Sequence, residues 1–384
     1  MTELKIKKNT KYIVNENAIE LLLTILKKQK FKTIGPTVRD NTIIYDELDK
    51  ISDLPIGITD IHEAGSYRLK ERSDKALFGY NVGPFSFKKY LFPPRLTILK
   101  TKKVDGKISI IKENESVEKL AFFGVKPCEL QAILIQDKIF IEGEYVDNYY
   151  KKQRDNLFIV TTNCTESGSS CFCASTGSGP EAKKGFDISI TELIDNGNHD
   201  FLIEAGSKDG LKVLKELPLS EASDENIQFA EQKIDSVSNS MGRTLDTTNL
   251  KELLLENLNH PHWDDIAKRC LSCGNCTMVC PTCFCSNIED VTSLSGDYNE
   301  RVRTWDSCFS KEYSYIHGGA IRASIRSRYR QWMTHKLASW QEQFDTLGCV
   351  GCGRCIVWCP VGIDITEETR SIQEQVTAQA EEVE

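Results

Sequence analysis

The chain has 384 residues, a formal net charge of −8, 40% hydrophobic residues and 15 cysteines. Such a length holds two or three domains with ordinary apolar cores. Overall acidity argues against a general nucleic-acid binder. The chain also lacks the run of about 18 apolar residues that a membrane span needs, and its opening MTELKIKKNTKY has no apolar signal core. A cytoplasmic protein without membrane contact is expected, and in a reducing cytosol cysteines in short repeats point to metal or cluster ligation rather than disulfides.

In chain order, NAIELLLTILKKQK (17–30) predicts an amphipathic helix, followed by strands in FKTIG and NTIIYDEL. GSYRLK (65–70) and NVGPFSFKKYLFPP (81–94) mix aromatic, basic and turn-forming residues. They read as structural loops, or alternatively as surfaces facing an anionic cofactor or a partner. No GxGxxG or Walker motif is present, so no nucleotide site is argued. Residues 1–115 are taken as an N-terminal α/β region, facing a partner or a cofactor.

Residues 116–220 form the second expected region. KLAFFGVKPCELQAILIQDKIF (119–140) reads as strand, turn and helix, with Pro127 at the first helical position, and NLFIVTTNC (156–164) as the next strand. This is a βαβ unit with parallel, adjacent strands. Cys128 then lies at a helix N-terminus, which favours thiolate, and Cys164 just beyond a strand end. That crevice is where open α/β sheets bind ligands. The loop TESGSSCFCASTGSGP adds Cys171 and Cys173. Four thiols meeting there suit a third [4Fe–4S] cluster; a buried structural thiol at Cys128, and a redox disulfide or zinc half-site at the CxC pair, are the competing readings. DISITELIDNGNHDFLIEAG (187–206) predicts a hairpin about Asn196–Gly197.

The third expected region, 221–384, carries the most specific signal. C-x2-C-x2-C-x3-C-P occurs twice, at Cys270, Cys273, Cys276, Cys280, Pro281 and at Cys349, Cys352, Cys355, Cys359, Pro360. Three cysteines two residues apart let one loop wrap three corners of a cubane; the fourth reaches the neighbouring cluster instead. Cys270, Cys273, Cys276 and Cys359 should therefore hold one [4Fe–4S] cluster, and Cys349, Cys352, Cys355 and Cys280 the other. Zinc sites use two CxxC pairs or cysteine with histidine and fit this pattern poorly. TTNLKELLLENL (247–258), with Thr247 or Thr248 as cap, and AIRASIRSRYRQWMTHKLASWQEQF (320–344) predict helices, hence an all-α helical-ferredoxin domain. Arg322, Arg326 and Arg330 should share one helix face: a docking face, a counter-charge to clusters, or a solvated surface. Cys283, Cys285 and Cys308 are left over, as packed thiols or as an additional metal site with His317.

Several long phrases, including GPTVRDNTIIYDEL, LFGYNVGPFSFKKYLFPPR, FFGVKPCELQAI, TNCTESGSSCFCASTGSGP, CLSCGNCTMVCPTCFCSNIEDVTSLSGD and RTWDSCFSKEYSYIHGG, resemble the β subunit of cytosolic [NiFe] sulfhydrogenases. They are also similar to the A subunit of anaerobic sulfite reductase. The likeness runs from about residue 15 to the second cysteine motif. It implies a non-catalytic iron–sulfur carrier between a FAD- and NAD(P)-binding γ-type subunit and a catalytic partner. That partner is the [NiFe] hydrogenase small and large subunits in one case, a siroheme sulfite reductase subunit in the other. The resemblance carries ligand roles to all eight motif cysteines, while Cys128, Cys164, Cys171 and Cys173 match phrases typical of the family. Two rival readings are an iron–sulfur regulator whose Arg-rich helix contacts nucleic acid and a reductase with its own flavin in the N-terminal half.

Overall fold

Leu120–Val125 is buried along its whole length and Leu157–Thr162 along nearly all of it. A strand apolar on both faces needs cover on both, which is the setting of parallel pairing. The two strands do pair in parallel, Leu120 opposite Leu157. In the computed structural model, which describes residues 6–104, 107–111, 117–195 and 197–381, they lie within an eight-stranded sheet. From one edge its order is Ser220–Glu221, Tyr12–Asn15, Asn198–Ala205, Ile188–Asp195, Leu157–Thr162, Leu120–Val125, Lys32–Arg39 and Thr42–Glu47. Strands from both sides of residue 115 thus share one sheet.

Alternation of side chains along a strand divides the core into two layers. Ala121, Phe123, Phe158 and Val160 face Ile19, Leu22 and Leu26 of the helix Glu16–Lys28. That helix is the predicted one; the Asn15 side chain caps it by accepting the Ala18 N–H. Leu120, Phe122, Val125 and Ile159 face the other way, toward Leu130 and Ile133 of the helix Pro127–Phe140. Pro127 begins this helix as expected. Ile188–Asp195 and Asn198–Ala205 form the expected hairpin; Gly197 has φ +85°, and Asn196 lies outside the described residues.

The C-terminal region is mixed rather than all-helical. Helices Leu250–Glu256, His262–Arg269, Ile325–Thr334 and Ile365–Glu381 surround the two cysteine motifs. Between the motifs, however, Ser286–Thr292 and Tyr298–Trp305 pair as antiparallel strands. The second of them pairs with Arg95–Val104, which pairs in turn with Lys107–Ile111. A strand distant in sequence supplies the backbone partners, so short polar segments without helical periodicity become strands.

Two further helical expectations shift. The helix expected over 320–344 begins at Ile325, where the Ser324 side chain accepts the Ser327 N–H, and passes through a wider π-turn at His335–Ser339. Arg322 precedes it. Arg326 pairs with Asp264 at 3.2 Å and Arg330 donates to the Leu258 carbonyl at 2.6 Å, so the basic residues turn onto neighbours rather than forming one open face. The helix expected from 247 starts at Leu250, behind Asn249 in the left-handed region; Thr248 instead donates its N–H to Asp246 at 2.9 Å. Among the described residues no helix is long and apolar enough to cross a membrane.

Candidate cluster-binding site

The two cysteine motifs repeat one local geometry. Ser272 and Gly351, each two residues after the first cysteine, have φ +53° and +60°; Gly274 and Gly353, two further on, have φ +78° and +73°. A short helix then starts in each, Asn275–Met278 and Arg354–Val357. The left-handed turns curl the loop so that its own N–H groups face inward, a task suited to glycine. The Ser272 N–H donates to Cys270 Sγ at 3.3 Å and the Gly351 N–H to Cys349 Sγ at 3.5 Å. Donors aimed at sulfur are the arrangement that stabilises cluster thiolates.

The fourth cysteines cross over. Cys359 lines one recess with Cys270, Cys273 and Cys276. Cys276 is pushed up by burial and by repulsion from Cys270, Cys273 and Cys359. Cys355 is likewise pushed up by burial, then by Cys349, Cys352 and Cys280. Burial also pushes Cys349 up, to about 12, against the pull of Lys336. Such thiols stay protonated when free and give up their protons to bound metal. The two groups touch: Cys355 also borders the first recess, and Cys276 repels Cys355.

The third group is also brought together. Cys128, Cys164, Cys171 and Cys173 line one recess with Lys126 and Met241. Cys128 comes from the first turn of Pro127–Phe140 and Cys164 from just beyond Leu157–Thr162, as the βαβ reading requires. The thiolate expected at Cys128 is a correction: burial raises its pKa, with Cys352 and Cys173 adding to the rise, and this outweighs the helix terminus. Cys171 is pushed up to about 12 by burial and Cys164. Cys352 borders this recess too, so the second group sits between the first and the third. The joint is tight, with the Phe172 N–H donating to the Gly351 carbonyl at 2.8 Å.

Cys283 lies beside Cys280 of the second group, and Cys285 beside Cys308, which also neighbours Cys276 of the first. The strand pair places Cys285 next to Asp306, whose N–H donates to the Cys285 carbonyl at 2.9 Å. Cys285 is lowered to about 6 by hydrogen bonds from Cys308 and Tyr313. His317 is exposed in the turn between Tyr315–Ile316 and Gly319–Ala320, whereas these thiols are half-buried.

Four charged residues escaped the sequence reading. Arg354, inside the second motif, is fully buried and paired with Glu129 of the helix Pro127–Phe140. Its Nε also donates to the Gly83 carbonyl at 2.7 Å, and Glu129 accepts the Phe87 N–H at 3.0 Å. This pair bolts the motif to the segment read as loops. Lys88 belongs to that same segment, and its Nζ donates to the carbonyls of Cys280 and Cys283 at 2.9 and 3.1 Å. Lys336 donates to Cys280 Sγ at 3.2 Å. Its signal was a lone cation on the apolar stripe Trp332, Met333, Leu337 and Trp340.

Sulfur-only donor sets, N–H groups on the sulfurs and buried cations facing them fit iron–sulfur clusters. The family described as 4Fe-4S dicluster domain matches residues 269–363, which span both motifs and the strands between them. Residues 269–363 therefore form a 4Fe–4S dicluster domain. The chain is similar to sulfhydrogenase 2 subunit beta of Pyrococcus furiosus, with 28% identity over 319 residues, 82% of this chain and 91% of that protein. The expected resemblance to sulfhydrogenase β subunits is thus supported. No solved structure matches.

Proposed function

We propose that this chain is the iron–sulfur electron-transfer subunit of a hydrogenase or sulfur-reductase complex. It relays electrons between a FAD- and NAD(P)-binding subunit and a [NiFe] catalytic subunit. The observation that carries this reading is the crossed grouping, with Cys359 among Cys270, Cys273 and Cys276; similarity to a sulfhydrogenase β subunit supports the setting. In this reading Cys270, Cys273, Cys276 and Cys359 hold one cluster and Cys280, Cys349, Cys352 and Cys355 a second. Cys128, Cys164, Cys171 and Cys173 hold a third. When bound, such clusters supply reversible one-electron storage. The chain's own part is to fix their spacing through the shared loops and to donate N–H groups to the sulfurs. It also screens the buried groups from water while Cys273 stays exposed toward a partner. Regions 1–115, 116–220 and 221–384 then carry the partner-facing surface, the third group and the dicluster, while sharing strands of the same sheets rather than folding apart.

The test is anaerobic purification of the full chain with iron and acid-labile sulfide counting. About twelve irons per chain that dithionite reduces supports three clusters, about eight supports the dicluster alone, and none refutes the reading. Copurification with flavoprotein and nickel-containing subunits supports the relay. Salt-sensitive nucleic acid, or flavin in the isolated chain, counts against it.

A further inference from the structure

A buried ammonium is costly unless an opposite charge or full hydrogen bonding compensates it. Lys336 and Lys88 are each 4% exposed. Among the described residues neither has a carboxylate within ion-pair distance. Lys336 Nζ is bonded to Cys280 Sγ at 3.2 Å, Thr282 Oγ1 at 3.1 Å and the Gly348 carbonyl at 2.9 Å. Lys88 Nζ sits on the carbonyls of Cys280 and Cys283 and 4.0 Å above the Trp305 ring. Lys336 thus faces the Cys280 sulfur directly, and Lys88 reaches the same cysteine through its carbonyl. At the first group the arrangement differs: the Arg328 guanidinium reaches the Ser272 hydroxyl at 3.1–3.2 Å, not a sulfur.

We infer that Lys336, assisted by Lys88, is a positioning residue that raises the reduction potential of the central cluster, the one on Cys280, Cys349, Cys352 and Cys355. This rests on the dicluster reading above. Reduction adds one electron, taken from a reduced flavin or from dithionite, and breaks or forms no bond. The tetrathiolate unit becomes more negative by one charge. Burial strips water from this unit and so opposes the extra charge. An ammonium fixed on a ligand sulfur acts in the other direction and is little screened in that position. Lys336 also ties the two motif loops together through Thr282 and Gly348. The test must therefore separate tuning from support.

The experiment is an EPR-monitored redox titration of the anaerobically purified full chain, with iron and sulfide counted beside it. Lys336→Met is expected to keep its iron and to lower one midpoint, so that the reduced-to-oxidised ratio at the wild-type midpoint falls about tenfold, or about 59 mV for one electron. Lys336→Arg should stay near wild type, and Lys88→Met should move the same signal by less. Fully loaded Lys336→Met with unmoved midpoints overturns the inference while leaving the dicluster intact. Iron loss in Lys336→Met together with unmoved midpoints in Lys88→Met assigns the lysines to support alone and overturns it as well. Iron loss in Lys336→Met with a lowered midpoint in Lys88→Met upholds it. A wild-type chain without reducible iron refutes the dicluster reading itself.

Discussion

Gly351→Ala tests the contact between the second and third cysteine groups. Gly351 has φ +60°, and a Cβ there would lie 2.5 Å from the Phe172 carbonyl oxygen and 2.6 Å from Cys173 Cα. Two costs add. An alanine in the left-handed region costs about 1–2 kcal/mol. Forcing apart packed groups costs about 1–3 kcal/mol more, and here the obstacle is backbone, which cannot rotate away. Gly177→Ala is the control, since Gly177 has φ +65° but nothing within 4 Å of the added Cβ. The two variants share the backbone cost, so their difference isolates the joint. Anaerobic urea denaturation, followed by circular dichroism and cluster absorbance, should find Gly351→Ala less stable than Gly177→Ala by about 1–3 kcal/mol. Its iron should fall toward about eight per chain as the third group is displaced. Equal destabilisation by the two substitutions would refute the packing argument.

Other outcomes follow from the same geometry. Arg354→Met leaves Glu129 buried and uncompensated, at a cost of about 3–5 kcal/mol, whereas Glu129→Gln/Arg354→Met should recover much of it in a denaturant double-mutant cycle. Cys164→Ser or Cys171→Ser should remove about four of about twelve irons and leave the dicluster signals in place; loss of those signals would show that the third group is not separate. His199 is raised above its ordinary value by its hydrogen bond to Glu192. A raised histidine stabilises below its unfolded pKa of about 6.5, and that contribution disappears as pH rises through the folded value. The margin of wild type over His199→Gln should therefore shrink between about pH 6 and 8, starting from less than about 1 kcal/mol because the site is partly solvated. Stability curves that stay parallel over that range would contradict it.

The parts of this molecule legible in its sequence are those governed by local rules. The helix Glu16–Lys28 shows its apolar stripe and its Asn15 cap; the strand Leu120–Val125 and Pro127 announce the βαβ unit. Cysteine spacing foretells that Cys359 gathers with Cys270, Cys273 and Cys276, because it reflects the size of a cubane rather than the surrounding fold. What escaped depends on distant partners. Ser286–Thr292 and Tyr298–Trp305 join a sheet whose remaining strands come from residues 95–111. Gly83, Phe87 and Lys88 looked like loop residues because their partners Arg354, Glu129 and Cys280 lie far along the chain. The basic run from Arg322 misled for the same reason: Arg326 and Arg330 are claimed by Asp264 and Leu258.

The crossing of the fourth cysteines also bears on synthesis. Cys270, Cys273 and Cys276 emerge from the ribosome well before Cys359, and Cys280 before Cys349, Cys352 and Cys355. A nascent chain that has just exposed the first motif therefore presents three thiols of one group and one of the other. Metal delivered at that moment would find an open corner. In the proposed dicluster, translation order leaves both positions incomplete until the last motif has folded back.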